Sequence, residues 1–161
     1  MGEYHINGGR PLRGEITIGG AKNAVLPIIA ATLLCEGTCV IKNVPIIADV
    51  GTSAEILKSL GCVVDIDTTA HTMTITPDFR VCDIAPKLAE KMRSSFIYLG
   101  ALLGRCGTAK ISYPGGCVIG KRPVDLHIAG LRAIGCTVAE DEYFVKAKGK
   151  PNVIMGRCFV W

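Results

Sequence analysis

Gly115-Gly-Cys-Val-Ile-Gly-Lys-Arg122 sets three glycines, two adjacent cations and one cysteine in eight residues, between a strand-like run and a helix-like run. The spacing follows the phosphate-cradling pattern G-x-x-x-x-G-K-[S/T] up to its last position. There Arg122 replaces the Ser or Thr whose hydroxyl would ligate magnesium, which argues against nucleotide hydrolysis. What remains is anion binding, by flexible glycines, Lys121, Arg122 and the free amides of a helix beginning at Pro123. Cys117 lies among these groups. Positive potential favours thiolate over thiol, and Gly115-Gly116 leave the sulfur accessible, so Cys117 reads as a reactive thiol. A packed, inert cysteine is the plainer alternative.

Other charged residues stand at comparable places. Lys22-Asn23 immediately precede an apolar helix. A lysine there opposes the helix dipole at a cost of about 0.3–1 kcal/mol unless an anion lies between them. A solvated lysine that turns away accounts for the position equally well. Arg93 stands where its helix becomes apolar all round and needs a partner, either a structural carboxylate or a bound carboxylate or phosphate. Asp125 and His127 are two apart and do not share a helix face. Asp125 could simply cap the first turn, so spacing leaves both roles open.

The elements that position these residues are written twice. Leu33, Gly37, Thr38 and Ile41 recur 70 positions later as Leu103, Gly107, Thr108 and Ile111. Leu57, Gly61, Cys62 and Val64 recur 74 positions later as Leu131, Gly135, Cys136 and Val138. The second copy therefore carries four added residues between strand and helix, inside the cysteine loop. A loop lengthened in one copy of a repeated scaffold is where function is grafted.

In the first copy, Glu15–Ile18 alternates like a strand, and Ala24–Leu34 is apolar all round, like a helix enclosed by protein. Gly37 suits a left-handed helix cap, and a strand runs from Cys39 to Val44. Thr52-Ser-Ala-Glu55 matches a capping box opening the next helix, before strands at 62–66 and 72–76. In the second copy Pro86 suits a first helical position, and Phe96–Leu103 is the second enclosed helix. A strand follows at Ala109–Tyr113. Pro123 then opens an amphipathic helix with Val124, Ile128, Leu131 and Ile134 on one face, before strands at 136–139 and 143–148. Each copy is thus helix, strand, helix, strand, strand. A third begins at Asn152. Units of this kind bury their faces on neighbours, so two and a stub form an incomplete array whose enclosed helices keep an open side, with self-association as the expected result.

Composition narrows the classes further. Of 161 residues 49% are hydrophobic, yet no uninterrupted apolar run reaches the roughly 18 residues of a membrane span. The start, MGEYHINGG, has no basic or apolar leader, and with eight cysteines this points to reduced thiols in a cytoplasmic protein. Cys62 and Cys136 read as small hydrophobes at strand starts. Cys35 and Cys39 lack the partners of a zinc site, so no metal is expected. The net charge of +4 is scattered rather than striped, which favours a small anionic ligand over nucleic acid or membrane.

Three segments carry a family resemblance: Gly14-Glu-Ile-Thr-Ile-Gly-Gly-Ala-Lys-Asn-Ala24, Lys91-Met-Arg-Ser-Ser95 and Pro114-Gly-Gly-Cys-Val-Ile-Gly-Lys-Arg-Pro-Val-Asp-Leu-His127. Over about residues 3–155 the chain resembles the UDP-N-acetylglucosamine enolpyruvyl transferases. The resemblance implies an inside-out α/β barrel of such repeats. Residues 1–20 would form a strand segment that joins the other domain. Residues 21–161 would form an incomplete domain, with repeats at 21–78 and 84–148 and a third starting at 152.

It implies transfer of the enolpyruvyl group of phosphoenolpyruvate to the 3′-hydroxyl of UDP-N-acetylglucosamine, releasing phosphate without metal or organic cofactor, as the first committed step of peptidoglycan synthesis. Cys117 would be the loop thiol of proton transfer and product release, alkylated by fosfomycin. Lys22, Arg93 and Arg122 would hold phosphoenolpyruvate, Asn23 would contact the sugar nucleotide, and Arg122, Pro123, Val124, Asp125 and Leu126 would bind its diphosphate, with His127 closing that motif. Family members are more than twice as long, and their catalytic aspartate and several arginines lie outside the resembling stretch. After Met155 the likeness ends. A non-catalytic fragment that at most binds UDP-N-acetylglucosamine is the alternative.

Overall fold

A computed structural model describes residues 3–9, 11, 13–78, 80–114 and 124–149. The cysteine loop from Gly115 to Pro123 and the third-repeat start at Asn152 lie outside the described residues. The helix–strand–helix–strand–strand order occurs twice. The first copy is α1 (Lys22–Ala31) with a 3-10 turn (Thr32–Leu34), β1 (Cys39–Ile41), α2 (Ala48–Leu60), β2 (Val63–Asp67) and β3 (Thr72–Thr76). A short α3 (Pro86–Ala89), with Pro86 at its first turn as expected, leads to the second copy. That copy is a 3-10 turn (Arg93–Phe96) running into α4 (Ile97–Cys106), then β4 (Thr108–Ser112), α5 (Asp125–Ala133), β5 (Thr137–Glu140) and β6 (Phe144–Lys148). Each copy closes an antiparallel three-stranded sheet with its last strand in the middle, in the orders β1-β3-β2 and β4-β6-β5.

The helices sit inward because they carry the largest apolar load. Ile29, Leu33, Leu102 and Leu103 are fully buried, as are Ile56, Leu57 and Leu60 of α2. Each such side chain contributes roughly 1.5–3 kcal/mol. Leu33 and Leu103 are repeat equivalents. The two helices approach closely: a methyl group added to Gly104 of α4 would lie 3.1 Å from Leu34 Cδ2. The sheets cover this layer with one face each, through Met73 and Ile75 of β3 and Val145 and Ala147 of β6.

The repeat extends to its turns. Gly61 and Gly135 end α2 and α5 with φ of 105° and 94°, a conformation open chiefly to glycine. Cys62 and Cys136 follow them, buried as small hydrophobes, and burial pushes the Cys62 thiol up. In the hairpins Asp67 accepts the amides of Thr69 and Ala70 at 2.8 Å, and its equivalent Asp141 accepts those of Tyr143 (2.8 Å) and Phe144 (2.7 Å). The Tyr143 amide, then that of Phe144, holds the Asp141 carboxyl below its ordinary value.

Several expectations from the sequence are corrected. Glu15–Ile18 forms no strand and pairs with no described strand, and Ile16 and Ile18 are 88% and 84% exposed. A strand needs a neighbouring edge, and none lies alongside among the described residues. Gly37 is not left-handed: Thr32 Oγ1 donates to the Ile29 carbonyl at 2.7 Å and the Cys35 amide to that of Thr32, so the helix end closes without it. Its equivalent Gly107 does adopt the left-handed cap, at φ 73°. The helix assigned to a capping box at Thr52 starts four residues earlier, at Ala48. Asp49 supplies the first-turn charge, and Glu55 instead pairs with Lys91 at 2.7 Å. β1 ends at Ile41 rather than Val44. The open side expected of the first enclosed helix is present, with Ile28 half exposed.

The thiols are not all reduced either. Cys82 and Cys106 form a disulfide across 24 positions, with Cα atoms 6.4 Å apart. The Ile84 amide donates to the Lys110 carbonyl at 3.3 Å, which draws the segment before α3 along β4 and up to the end of α4. Cys35, Cys39, Cys62 and Cys136 remain free.

Two outcomes follow from this packing. Loss of the bridge in a Cys82→Ser/Cys106→Ser variant lowers stability by about 3 kcal/mol, since closing a loop of this length restricts the unfolded chain; urea unfolding measures it, and an unchanged midpoint would exclude the bridge in solution. An apolar groove between α4 and α5, lined by Leu99, Leu126, Leu131 and Ile134, adds to the open side of α1. The isolated chain should therefore self-associate or bind a hydrophobic dye, and a dye-negative monomer in sedimentation would show that two repeats cover themselves.

Candidate functional site

The chain enters α1 through Gly20, where any side chain would collide with the Asn43 carbonyl and the Pro45 ring. This contact fixes where the helix begins, and hence where Lys22 and Asn23 stand. No side chain caps α1 at Ala21. Pro27 also lacks the amide that would bond the Asn23 carbonyl. The opening turn thus lacks a side-chain cap and one helical amide partner beside a cation. The Lys22 ammonium pairs with the Asp49 carboxylate, from the first turn of α2. The anion that offsets the dipole conflict is therefore a protein group in this state.

Across from α1, Met92 is buried and Ser53 Oγ lies 3.8 Å from its sulfur. Ser95 is buried and donates to the Ala89 carbonyl at 2.7 Å. These contacts clamp the turn on either side of Arg93 and Ser94. Arg93 is exposed rather than buried at one end, and no carboxylate among the described residues pairs with it. His127, on the first turns of α5, meets Phe96 edge-on with ring centroids 5.6 Å apart.

Lys22, Asn23, Arg93, Ser94, Val124 and His127 share one cavity of about 480 Å³ with Leu26, Phe96, Ile97 and Pro114. Five of the residues singled out in the sequence (Lys22, Asn23, Arg93, Val124 and His127) are thereby gathered from three separate segments. Two are not: Asp125 faces outward in the first turn of α5, and Leu126 lies 81% exposed on the neighbouring groove. Cys117, Arg122 and Pro123, with Lys121, lie outside the described residues. Pro114 and Val124, which flank that stretch, both line the cavity.

The flanks are held by a network that spacing did not show. Tyr113 donates its hydroxyl to Glu140 Oε2 at 3.2 Å, and Arg132 of α5 donates to Glu140 Oε1 at 2.9 Å and to the Val138 carbonyl at 3.0 Å. Glu140 thus ties the strand before the loop to the helix after it. Desolvation, then its bond to Glu140, pushes the Tyr113 hydroxyl up. Asp49 and Ser94 were also missed. Asp49 enters through its pair with Lys22 on another helix and Ser94 through its place on the cavity wall, and neither leaves a periodic trace.

The arrangement can hold a small anion: two cationic side chains, amide and imidazole donors, and an apolar wall. The fold and this cavity define an enolpyruvyl transferase-type domain. The chain belongs to the EPSP synthase (3-phosphoshikimate 1-carboxyvinyltransferase) family, whose model matches residues 6–155. It is similar to a UDP-N-acetylglucosamine 1-carboxyvinyltransferase of Dichelobacter nodosus, 48% identical over 149 residues, and to UDP-N-acetylglucosamine 1-carboxyvinyltransferase 1 of Clostridium acetobutylicum, 46% identical over 148 residues. These alignments cover 92% and 91% of the chain but only 35% of each relative, so it spans about a third of their length. Among solved structures the enolpyruvyl transferase NikO from Streptomyces tendae aligns with a TM-score of 0.72 at 21% identity, over 89% of this chain and 31% of that one. That likeness establishes the fold.

Lys22 should behave as a residue kept for its site rather than for stability. Its pair with Asp49 is partly exposed, and its own position opposes the dipole, so Lys22→Ala should change the folding free energy by under about 1 kcal/mol. A thermal melt checks this. A loss of several kcal/mol would make Lys22 a structural residue.

Proposed function

We propose that this chain supplies part of the site of a UDP-N-acetylglucosamine 1-carboxyvinyltransferase, on its own or within a longer polypeptide. The reaction transfers the enolpyruvyl group of phosphoenolpyruvate to the sugar 3′-hydroxyl and releases phosphate, in cytoplasmic peptidoglycan synthesis. The cavity that joins Lys22, Asn23, Arg93 and His127 to both flanks of the Cys117 loop carries this reading. Lys22 and Arg93, with Arg122, hold the phosphate and carboxylate of phosphoenolpyruvate. Asn23 orients the sugar nucleotide, the stretch of Arg122, Pro123, Val124, Asp125 and Leu126 receives its uridine diphosphate, and His127 lines the substrate cavity. Cys117 moves a proton at the reacting carbon and is the thiol that fosfomycin alkylates. The similarity to carboxyvinyltransferases at 43–48% identity supports the assignment of substrates.

The share of the relatives that is covered favours a second reading for the 161 residues by themselves, a sugar-nucleotide-binding module without turnover. General acid–base groups contribute typically about 10²–10⁴-fold, and the family's catalytic aspartate lies outside the resembling stretch. The isolated chain should therefore release no phosphate above background from the two substrates; release at an enzymatic rate, abolished by Cys117→Ala, would show that the residues present suffice.

The site reading is tested by brief iodoacetamide treatment and peptide mapping at neutral pH. Cys117, beside Lys121 and Arg122, should label faster than the exposed Cys35. Arg122→Ala should slow it, and phosphoenolpyruvate with UDP-N-acetylglucosamine should protect it. Labelling no faster than at Cys35 and indifferent to both ligands would reject the assignment.

A further inference from the structure

The Ser94 hydroxyl is enclosed within the protein and has no hydrogen-bond partner among the described residues. Its neighbours differ in this respect: Ser95 is committed to the Ala89 carbonyl, and Ser53 reaches Met92. Two other hydroxyls, of Tyr98 and Ser112, are also unpartnered, but both belong to residues buried in the core and neither lines the cavity. Ser94 does line it, next in sequence to Arg93 and together with Lys22, Asn23 and His127. An enclosed hydroxyl left unpaired is a cost to the fold, and such a group on a cavity wall calls for an explanation. The backbone there is not free to turn it away, because Met92 and Ser95 anchor the turn on both sides.

We propose that Ser94 Oγ is a substrate ligand, donating a hydrogen bond to an anionic oxygen of phosphoenolpyruvate held between Lys22 and Arg93. The inference rests on the functional reading above and assigns it a further residue. A hydroxyl supplies what the two cations do not: one short, directional donor that discriminates by position rather than by charge. The cations draw the anion in, and the serine selects how it lies. The same oxygen chemistry is offered by the phosphate and by the carboxylate, so separate probes are needed to tell them apart.

The experiment titrates the 161-residue chain with phosphoenolpyruvate, inorganic phosphate and pyruvate, by calorimetry or amide chemical shifts, in the wild type and in Ser94→Ala and Ser94→Thr. Removing a hydrogen bond to a charged group should weaken phosphoenolpyruvate binding about 10- to 100-fold in Ser94→Ala, with Thr restoring much of it. Thermal stability of Ser94→Ala should be unchanged or raised, because an unpaired enclosed hydroxyl is removed. A matching loss for phosphate assigns the bond to the phosphoryl oxygen; a matching loss for pyruvate assigns it to the carboxylate. Equal phosphoenolpyruvate affinity in wild type and Ser94→Ala overturns the role of Ser94 and leaves the functional reading standing. A lowered melting temperature in Ser94→Ala overturns it too, by showing that the hydroxyl serves the fold. No phosphoenolpyruvate binding by the wild type overturns the assignment of Ser94 as a ligand in this chain.

Discussion

Close burial of α1 against α4 governs the rest of the molecule. The two apolar helices meet where Gly104 leaves just enough room for Leu34, and each begins at the cavity: α1 opens with Lys22 and Asn23, and the turn that leads into α4 carries Arg93 and Ser94. The distance between these groups is therefore set by core packing. Protein interiors are close-packed and yield little, so a cavity spanned this way keeps its width. Polar contacts then do the finer work. Ser95 on the Ala89 carbonyl and Met92 under Ser53 fix the angle of the Arg93 turn, while Glu140 holds both ends of the β4–α5 connection.

Duplication explains why the architecture was readable. Leu33 and Leu103, Gly61 and Gly135, and Cys62 and Cys136 occupy matching environments, so one pattern constrains two places at once. Asp67 and Asp141 extend this to the hairpins: each carboxylate fixes its turn by accepting two amides. The misread positions share a cause. Thr52-Ser-Ala-Glu55 satisfies the capping-box spacing anywhere in a helix, and here a distant lysine claims Glu55. Gly37 had the composition of a cap, but the Thr32 hydroxyl had already closed that end. Glu15–Ile18 has the alternation of a strand and no edge to join. Local patterns state what a segment can do, and the neighbours decide which option is taken.

The site was legible to a different depth. Lys22 stood out by the electrostatic conflict a cation creates at a helix start, and Arg93 as a charge at the point where its helix turns apolar all round. That conflict does not say who resolves it. Asp49 answers for Lys22 from another helix, and Arg93 stays exposed on the cavity wall. Ser94 created no conflict in the sequence, because a serine in a turn is ordinary; only its enclosure without a partner marks it.

The bridge between Cys82 and Cys106 encircles the turn that bears Arg93 and Ser94. Under a pulling force applied at the chain ends, the tension passes through the sulfur link and bypasses a sequence separation of 24, or about 80 Å of extensible length. The cavity's Arg93 wall is thus mechanically slack while everything outside the ring is being stretched. A single protease cut inside the ring would likewise leave both halves covalently attached, and the mass of the chain would rise by one water instead of dividing in two.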